Sequence, residues 1–240
     1  MDGRIGEMII DERHRGPAKS GNGGYVAGRV AHPLVGGTGS GAEVTLKAPP
    51  PLHRPLALVP EDDGVVLRDG DTVIATAVRA DAADLTTIEP VSYAEATEAS
   101  ASYPGHAFHP FPTCYACGTG NADGLHIFPG AVTPSPEGHT RVAAPWLPPA
   151  DVDEAVVWAA LDCVGGWAGD LTDRLMVLGR MTASVSHVPS PDEPCVVMGR
   201  AVDAQGRRTF TGASIHTGSG VLVGRASHIW VTVDPARFNA

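Results

Sequence analysis

A run of small residues ends in Asn22, Gly23, Gly24 and Tyr25, and it leads into an apolar segment, residues 24–32, that favours a helix. The first N–H groups of a helix have no partner inside the helix, and the helix dipole favours negative charge there. Glycine also lets a bound molecule approach the backbone closely. This helix start therefore suits the stabilisation of a carbonyl oxygen that becomes an oxyanion, unless the run is only a flexible turn in which Asn22 caps the helix.

One carboxylate, Asp162, lies in an otherwise apolar segment that also favours a helix. Burying a carboxylate is costly unless the group is paired or has a chemical role. Spacings of three and four place Asp162 on the same face as Ala155, Trp158 and Ala159, which favours an inward direction over an exposed position on the outer face. An inward carboxylate would act as a general base towards water, or would attack a carbonyl carbon directly.

His106, His109, Cys114 and Cys117 have the spacing His-x2-His-x4-Cys-x2-Cys, which resembles a set of zinc ligands. The cluster lacks a second pair of knuckle cysteines, and prolines stiffen the stretch between its two pairs. We therefore predict no metal site. Cys163, inside the same predicted helix as Asp162, is expected to be an inert buried cysteine.

Short alternating runs bounded by turn residues dominate the chain and predict antiparallel strands, with one central helix in each half, residues 24–32 and 153–167. Pro33 is expected to close the first helix. This order of elements predicts an α+β fold with two domains, residues 1–90 and 106–240, and a linker, residues 91–105, that contains a short helix. The predicted strands are residues 4–10, 41–47, 55–59, 64–68, 72–79, 125–128, 139–144, 175–188, 195–203, 209–216 and 221–233.

The composition excludes several classes of protein. The 240 residues suffice for two domains, and the net charge of −10 at pH 7 argues against a nucleic-acid partner, which needs a basic surface. No signal peptide is visible, and no stretch approaches the roughly 18 apolar residues of a membrane span. The four cysteines do not make a disulfide framework in a chain of this length. We expect a soluble, cytoplasmic protein.

The segment from Cys114 reads Cys-x-x-Cys-Gly, followed by Asn121 and by Gly124 and Leu125. It resembles the opening of many bacterial hot-dog-fold thioesterase-like proteins of the phenylacetic-acid type. With Asp162 downstream, the resemblance covers most of the second half of the chain. The first half resembles the family only through residues 22–24 and the order of its strands. The whole chain is similar to double hot-dog proteins, in which each of two fused units is an antiparallel sheet wrapped around a central helix.

The resemblance implies hydrolysis of acyl-CoA or acyl-carrier thioesters at one composite site between the two hot-dog halves. The Gly23, Gly24 and Tyr25 amides would face Asp162 there, and CoA would enter as part of the substrate with no other cofactor. The family's histidine is replaced by Asn22, which leaves open a non-catalytic protein on the same fold that binds acyl-CoA or a fatty acyl group or has a regulatory role. Either a monomer with pseudo-dimeric halves or a homodimer fits this arrangement.

The two helices resemble incomplete copies of one family pattern, in which glycines start the helix and an acid follows. The first copy keeps the glycines and has Ala31 at the acid position, whereas the second keeps Asp162 and has residues 154–155 at the glycine positions. We therefore expect one complete site. The opposite pairing, of residues 154–155 with Ala31 or His32, is expected to be inactive.

A basic cluster leads directly into the glycine run. It contains Arg13, His14, Arg15 and Lys19. Arg13, Arg15 and Lys19 would suit the phosphates of CoA near the mouth of such a site, and a solvated loop is the equally open alternative.

Overall fold

The computed structural model describes residues 4–35 and 40–234, and within these ranges the chain forms three α-helices and eleven strands. The helices are α1 (Gly23–Val35), α2 (Tyr93–Ser100) and α3 (Glu154–Ala168). The strands are β1 (Gly6–Ile9), β2 (Gly41–Leu46), β3 (Pro55–Glu61), β4 (Gly64–Asp69), β5 (Thr72–Ala80), β6 (Gly130–Val132), β7 (Arg141–Trp146), β8 (Met176–Val185), β9 (Cys195–Gln205), β10 (Arg208–Thr217) and β11 (Leu222–Thr232).

The strands form one continuous sheet in the order β1-β3-β4-β5-β2-β8-β11-β10-β9-β7-β6, and every pairing is antiparallel. Strands from the first half of the chain occupy one side of the sheet, and strands from the second half occupy the other. The two sets meet where β2 pairs with β8, with Val44 opposite Met181. The predicted α+β class with antiparallel strands is confirmed, and the domain boundaries stay a prediction.

Helices α1 and α3 pack against each other and run in opposite directions. On the sheet, α1 packs against β2, β4 and β5, and α3 packs against β7 to β11. Two glycines of α1 set how closely the helices approach. A Cβ atom on Gly24 would lie 2.5 Å from the Cβ of Asp162, and one on Gly28 would lie 2.8 Å from the Cα of Ala155. Only residues without a side chain permit this contact. The glycines of α1 therefore bring the backbone of one helix next to the carboxylate of the other.

Helix α1 runs to Val35, so the predicted end at Pro33 is wrong. Pro33 is exposed and lies in the last turn, where it removes a single hydrogen bond to the carbonyl of Arg29, itself an exposed residue. Burial of Leu34 and Val35 offsets this loss. Helix α3 is buried on all sides, so the inward direction of Asp162 follows from its position between α1 and the sheet rather than from an apolar stripe.

Residues 125–128 do not form the predicted strand. Leu125 and Ile127 instead donate backbone hydrogen bonds to Tyr115 and to Ala116, and His126 between them has a positive φ of 51°. The alternating pattern is real, but its partner is the turn at residues 114–118 rather than a strand. None of the helices in residues 4–35 and 40–234 is long and apolar enough to cross a membrane.

Candidate active site

Asp162 meets the start of α1, although 138 residues separate it from Gly24. Its Oδ2 accepts a hydrogen bond of 2.8 Å from the Gly24 N–H and one of 3.1 Å from Nδ2 of Asn22. Its Oδ1 is buried and has no hydrogen-bond partner in the described part of the chain. Burial raises the pKa of Asp162 to about 7, against the opposing effect of the two hydrogen bonds. The site thus contains a carboxylate with one oxygen held and one oxygen available.

The three backbone amides predicted to face Asp162 have different partners. The Gly24 N–H donates to Asp162, and the Tyr25 N–H donates to Oδ1 of Asn22, which caps the helix at 2.8 Å. The Gly23 N–H has no protein acceptor among residues 4–35 and 40–234. Asn22 therefore both caps α1 and positions the carboxylate, and the Gly23 amide is the one left for a bound molecule.

The ring of Tyr25 holds the preceding loop against the helix. It stacks on His14 with ring centroids 3.9 Å apart, and Tyr115 meets both rings edge-on. Burial and the neighbouring Arg13 lower the pKa of His14 to about 4, so its ring is neutral at pH 7. Tyr25 therefore packs this loop against the helix with its ring, while its N–H holds the side-chain oxygen of Asn22.

A cavity of about 400 Å³ opens beside Asp162, Asn22 and Gly23, within the size range of small-molecule sites. A Cβ atom on Gly23 would lie 2.9 Å from Cδ2 of Leu178 and 3.2 Å from Cδ1 of Leu46, two residues of the cavity wall, so glycine at this position keeps the space open. The rest of the wall is mainly apolar and includes Ala48, Phe111, Leu171, Met176, Trp230 and Val231. The cavity therefore combines a mainly apolar wall with the buried carboxylate of Asp162.

The basic cluster lies outside the cavity wall. Arg13 forms an ion pair of 2.5 Å with Asp151, and Arg15 pairs with Glu12. Lys19 is exposed, on a loop whose neighbouring residues 17 and 20 do line the cavity.

Among the residues that the structure describes, the cation that lines the cavity is Lys47, which sequence reasoning missed. It is exposed and follows directly on the end of β2. The sequence feature that could have indicated Lys47 is its position at the end of an alternating strand, just before a run of prolines.

The His-x2-His-x4-Cys-x2-Cys ligand set does not assemble. His106 is exposed, and both ring nitrogens of His109 are engaged: Nδ1 accepts from the Phe111 N–H at 2.9 Å, and Nε2 lies 3.0 Å from the carbonyl oxygen of Cys117. Cys163 takes the place of the histidines beside the two cysteines of the turn.

The sulfur atoms of Cys114, Cys117 and Cys163 all lie within 4.8 Å of one another, and all three residues line the cavity next to Asp162. Hydrogen bonds from the other two thiols hold the pKa of Cys114 well below its ordinary value. Burial raises the pKa of Cys117, and the hydrogen bonds to Cys114 do the same for Cys163. Cys163 is buried as predicted, but it faces a site rather than an inert core.

The opposite ends of the two helices carry no counterpart of the contact between Asp162 and Gly24. Glu154 Oε2 lies 3.8 Å from Nδ1 of the exposed His32, and Ala31 is buried. Burial raises the pKa of Glu154. The inactivity of this second pairing stays a prediction.

Solved structures with this architecture cover nearly the whole chain. The tesB protein of Mycobacterium avium subs paratuberculosis superposes with a TM-score of 0.63 at 12% identity, over 96% of this chain and 95% of that one. A protein of unknown function with the hot-dog fold from Alicyclobacillus acidocaldarius gives 0.62 at 13% identity, over 98% and 95% of the two chains. The acyl-CoA thioesterase II TesB2 of Mycobacterium marinum gives 0.61 at 13% identity, over 96% and 93%.

No protein-family model and no curated protein matches the chain. At identities of 12–13% the structural likeness shows the fold. The chain therefore has a hot-dog fold of the kind found in acyl-CoA thioesterase structures, as its resemblance at the sequence level predicts.

Proposed function

We propose that this hot-dog chain hydrolyses acyl-CoA or acyl-carrier thioesters at a single composite site between two tandem hot-dog halves, residues 1–90 and 106–240. The observation that carries the proposal is the pair of hydrogen bonds from Gly24 and Asn22, in the first half, to Asp162 in the second. Neither half alone holds both groups. The likeness over nearly the whole chain to a structure named as an acyl-CoA thioesterase II adds support.

In the proposed reaction the acyl chain occupies the apolar cavity, and its carbonyl oxygen lies at the start of α1. Oδ1 of Asp162, the oxygen without a protein partner, takes a proton from a water molecule as the water oxygen adds to the carbonyl carbon. The Gly23 N–H and the helix dipole stabilise the oxyanion that forms. Collapse of this intermediate breaks the carbon–sulfur bond, and the proton held by Asp162 passes to the leaving thiolate. The products are a carboxylic acid and a free thiol.

Asn22 acts as a positioning residue in this scheme. Its side-chain N–H holds Oδ2 of Asp162 and its side-chain oxygen caps α1, so the carboxylate and the helix start keep a constant geometry. The amide carries no charge, so it orients Asp162 without forming an ion pair with it.

The phosphates of CoA would meet cations at the cavity mouth. We assign this role to Lys47, which lines the cavity, and to Lys19 on the adjacent loop; Arg13 and Arg15 would have to leave their ion pairs to take part. Lys47→Ala is expected to raise KM for acyl-CoA about tenfold and to leave KM unchanged for an N-acetylcysteamine thioester, which has no phosphate, since one charge-assisted contact contributes roughly 1.5 kcal/mol.

A second function, binding of acyl-CoA without turnover, is favoured by one observation. Asp162 is only 2% exposed, so in the ligand-free chain a water molecule reaches it only through the cavity. If bound substrate excludes that water, the chain binds thioesters and does not hydrolyse them.

The experiment is thiol release from a panel of short, long and aryl acyl-CoAs, with the wild type beside Asp162→Asn. Asparagine keeps the volume and can turn its oxygen towards Gly24, so the variant is expected to fold and to lose activity at least 100-fold, within the range of a lost general base. The matched control is Glu154→Gln, at the opposite end of the helix pair, which is expected to keep activity within about twofold.

Binding of a non-hydrolysable acyl-CoA thioether, measured by calorimetry, separates the two functions. Hydrolysis is supported if the wild type turns over the thioesters and the Asp162→Asn variant loses this turnover but still binds the thioether. Thioether binding by a wild type that hydrolyses nothing in the panel supports the binding protein instead. Full activity of Asp162→Asn would refute the assignment of the carboxylate.

A further inference from the structure

Three thiols meet in the cavity wall and have no part in the proposed hydrolysis. Cys114 and Cys117 belong to a turn that follows α2, whereas Cys163 lies in α3. The Sγ atoms of Cys114 and Cys163 are 3.5 Å apart, and all three sulfurs lie within 4.8 Å of one another. All are buried, and all line the cavity. Two remote segments of the chain thus converge on one group of sulfur atoms.

We propose that Cys114, Cys117 and Cys163 bind one zinc ion, with its fourth coordination position open to the cavity. Zinc binds thiolates at about 2.3 Å in a tetrahedron, which places any two sulfurs about 3.8 Å apart. The sulfurs of Cys114 and Cys163, 3.5 Å apart, are already close to that separation, and the third sulfur lies within 4.8 Å of both, so binding needs only small movements. The cluster differs from a disulfide, whose sulfurs are about 2.05 Å apart, and all four cysteines of the chain are free.

The turn that carries two of the ligands is held in place from several sides. The Gly118 N–H donates to the carbonyl of Cys114 at 2.8 Å, and a Cβ atom on Gly118 would lie 2.4 Å from the Cys114 nitrogen, so glycine is required there. The Tyr103 hydroxyl donates to the carbonyl of Cys117 at 2.9 Å. The third ligand, Cys163, stands on a helix buried on all sides. Such rigid supports hold metal ligands in position before the metal arrives.

The surroundings of the thiols suit bound thiolates. Nδ2 of Asn22 lies 3.7 Å from the sulfur of Cys114 and 3.8 Å from that of Cys163, so an N–H donor faces both atoms. Hydrogen bonds of this kind orient thiolate ligands and tune a metal site. A three-ligand zinc site keeps one position for water or for a substrate atom, and here the cavity supplies that access. The proposal goes beyond the hydrolase function and does not depend on it.

The test is the zinc content of the untagged full-length chain, produced in zinc-supplemented medium and purified under a phosphine reductant without chelator. Plasma mass spectrometry is expected to find one zinc per chain. Cys114→Ser and Cys163→Ser are expected to lose most of it. The control is Cys195→Ser, which alters a buried thiol on β9 outside the cluster and is expected to keep the full amount.

A second measurement guards against variants that fail to fold. Wild-type chain stripped of zinc is titrated with Co²⁺, and the thiolate-to-cobalt charge-transfer absorption is expected to saturate at one equivalent with the intensity of three thiolates. The proposal is overturned by wild-type chain that carries no zinc and gives no such absorption. It is equally overturned by a folded Cys163→Ser variant that keeps one zinc. A disulfide between Cys114 and Cys163 in the purified wild type, instead of bound zinc, would also overturn it.

Discussion

The backbone N–H of Gly24 donates a hydrogen bond of 2.8 Å to the carboxylate of Asp162 across the contact between α1 and α3. The bond exists because residue 24 has no side chain: a Cβ atom there would lie 2.5 Å from the Cβ of Asp162 and 2.7 Å from the carbonyl oxygen of Trp158. One glycine therefore sets both the distance between the helices and the orientation of the acid. Packing and the candidate chemistry depend on the same contact.

Gly24→Ala is expected to lower the free energy of unfolding by about 1–3 kcal/mol and to remove most thioester hydrolysis, because the added methyl group pushes the two helices apart. Urea denaturation and thiol release measure the two effects. The control is Gly212→Ala on β10, where the nearest atom to a Cβ is 3.6 Å away, an ordinary contact. Unchanged stability of Gly24→Ala would contradict the close packing at this position.

Asn22→Asp keeps the helix cap, since aspartate and asparagine cap equally well, but it removes the N–H that Asp162 accepts at 3.1 Å. Two carboxylates would then share one buried site, which disfavours ionisation of both. The rate of thiol release at pH 7 is expected to fall about 10- to 100-fold, from the loss of roughly 1.5–3 kcal/mol of charge-assisted hydrogen bonding.

The matching change at the other helix tests whether this effect is specific. Asp153 caps α3 by accepting from the Val156 N–H at 2.9 Å, so Asp153→Asn makes the reverse exchange at a cap that has no hydrogen bond to Asp162. It is expected to leave the rate unchanged. An equal loss in both variants would assign the effect to capping alone.

Leu178→Phe is expected to shift the substrate preference towards shorter acyl chains, because a larger side chain shortens an apolar cavity of about 400 Å³. The measurement is kcat/KM across a series of straight-chain acyl-CoAs. The volume-conserving variant Leu178→Met is expected to keep the wild-type preference, since such exchanges cost little in packing. An identical profile for the phenylalanine variant would place the acyl chain elsewhere.

His228 is expected to weaken the fold in mild acid. Burial lowers its pKa to about 4, whereas an unfolded histidine titrates near 6.5. The unfolded chain therefore binds the proton more readily between these values, and the free energy of unfolding falls as pH drops from about 6.5 to about 4, by up to roughly 3 kcal/mol. Well above pH 6.5 the histidine is neutral in both states, so its titration no longer changes the free energy of unfolding.

Urea denaturation at pH 7 and pH 5 measures this effect. His228→Gln is expected to reduce the difference in the free energy of unfolding between the two pH values. The control, His106→Gln at an exposed histidine, is expected to keep the wild-type difference. His14, whose pKa is also lowered to about 4, contributes to the slope in all three proteins. A slope that His228→Gln leaves intact would assign the acid sensitivity to other groups.

Much of the fold was readable from local patterns. Alternation and turn residues predicted the long strands, and glycine and asparagine before an apolar run marked the start of α1. The failures share one cause, which is that contacts outside the local segment decided the outcome. Leu125 has the pattern of a strand but pairs with the turn at Tyr115, and Pro33 stays within α1 because Leu34 and Val35 gain burial against the core.

The sequence by itself identified Asp162, Asn22 and the two glycines as groups capable of chemistry, since an acid in an apolar helix and a glycine-rich helix start are recognisable from residue type and spacing. Only the tertiary structure decided that Gly24 serves the acid while the Gly23 amide remains available, and that Cys163 replaces the histidines beside Cys114. Hydrogen-bond partners and sulfur–sulfur distances depend on how α1, α3 and the cysteine turn pack together. That packing joins residues more than 45 positions apart, which local sequence patterns do not encode.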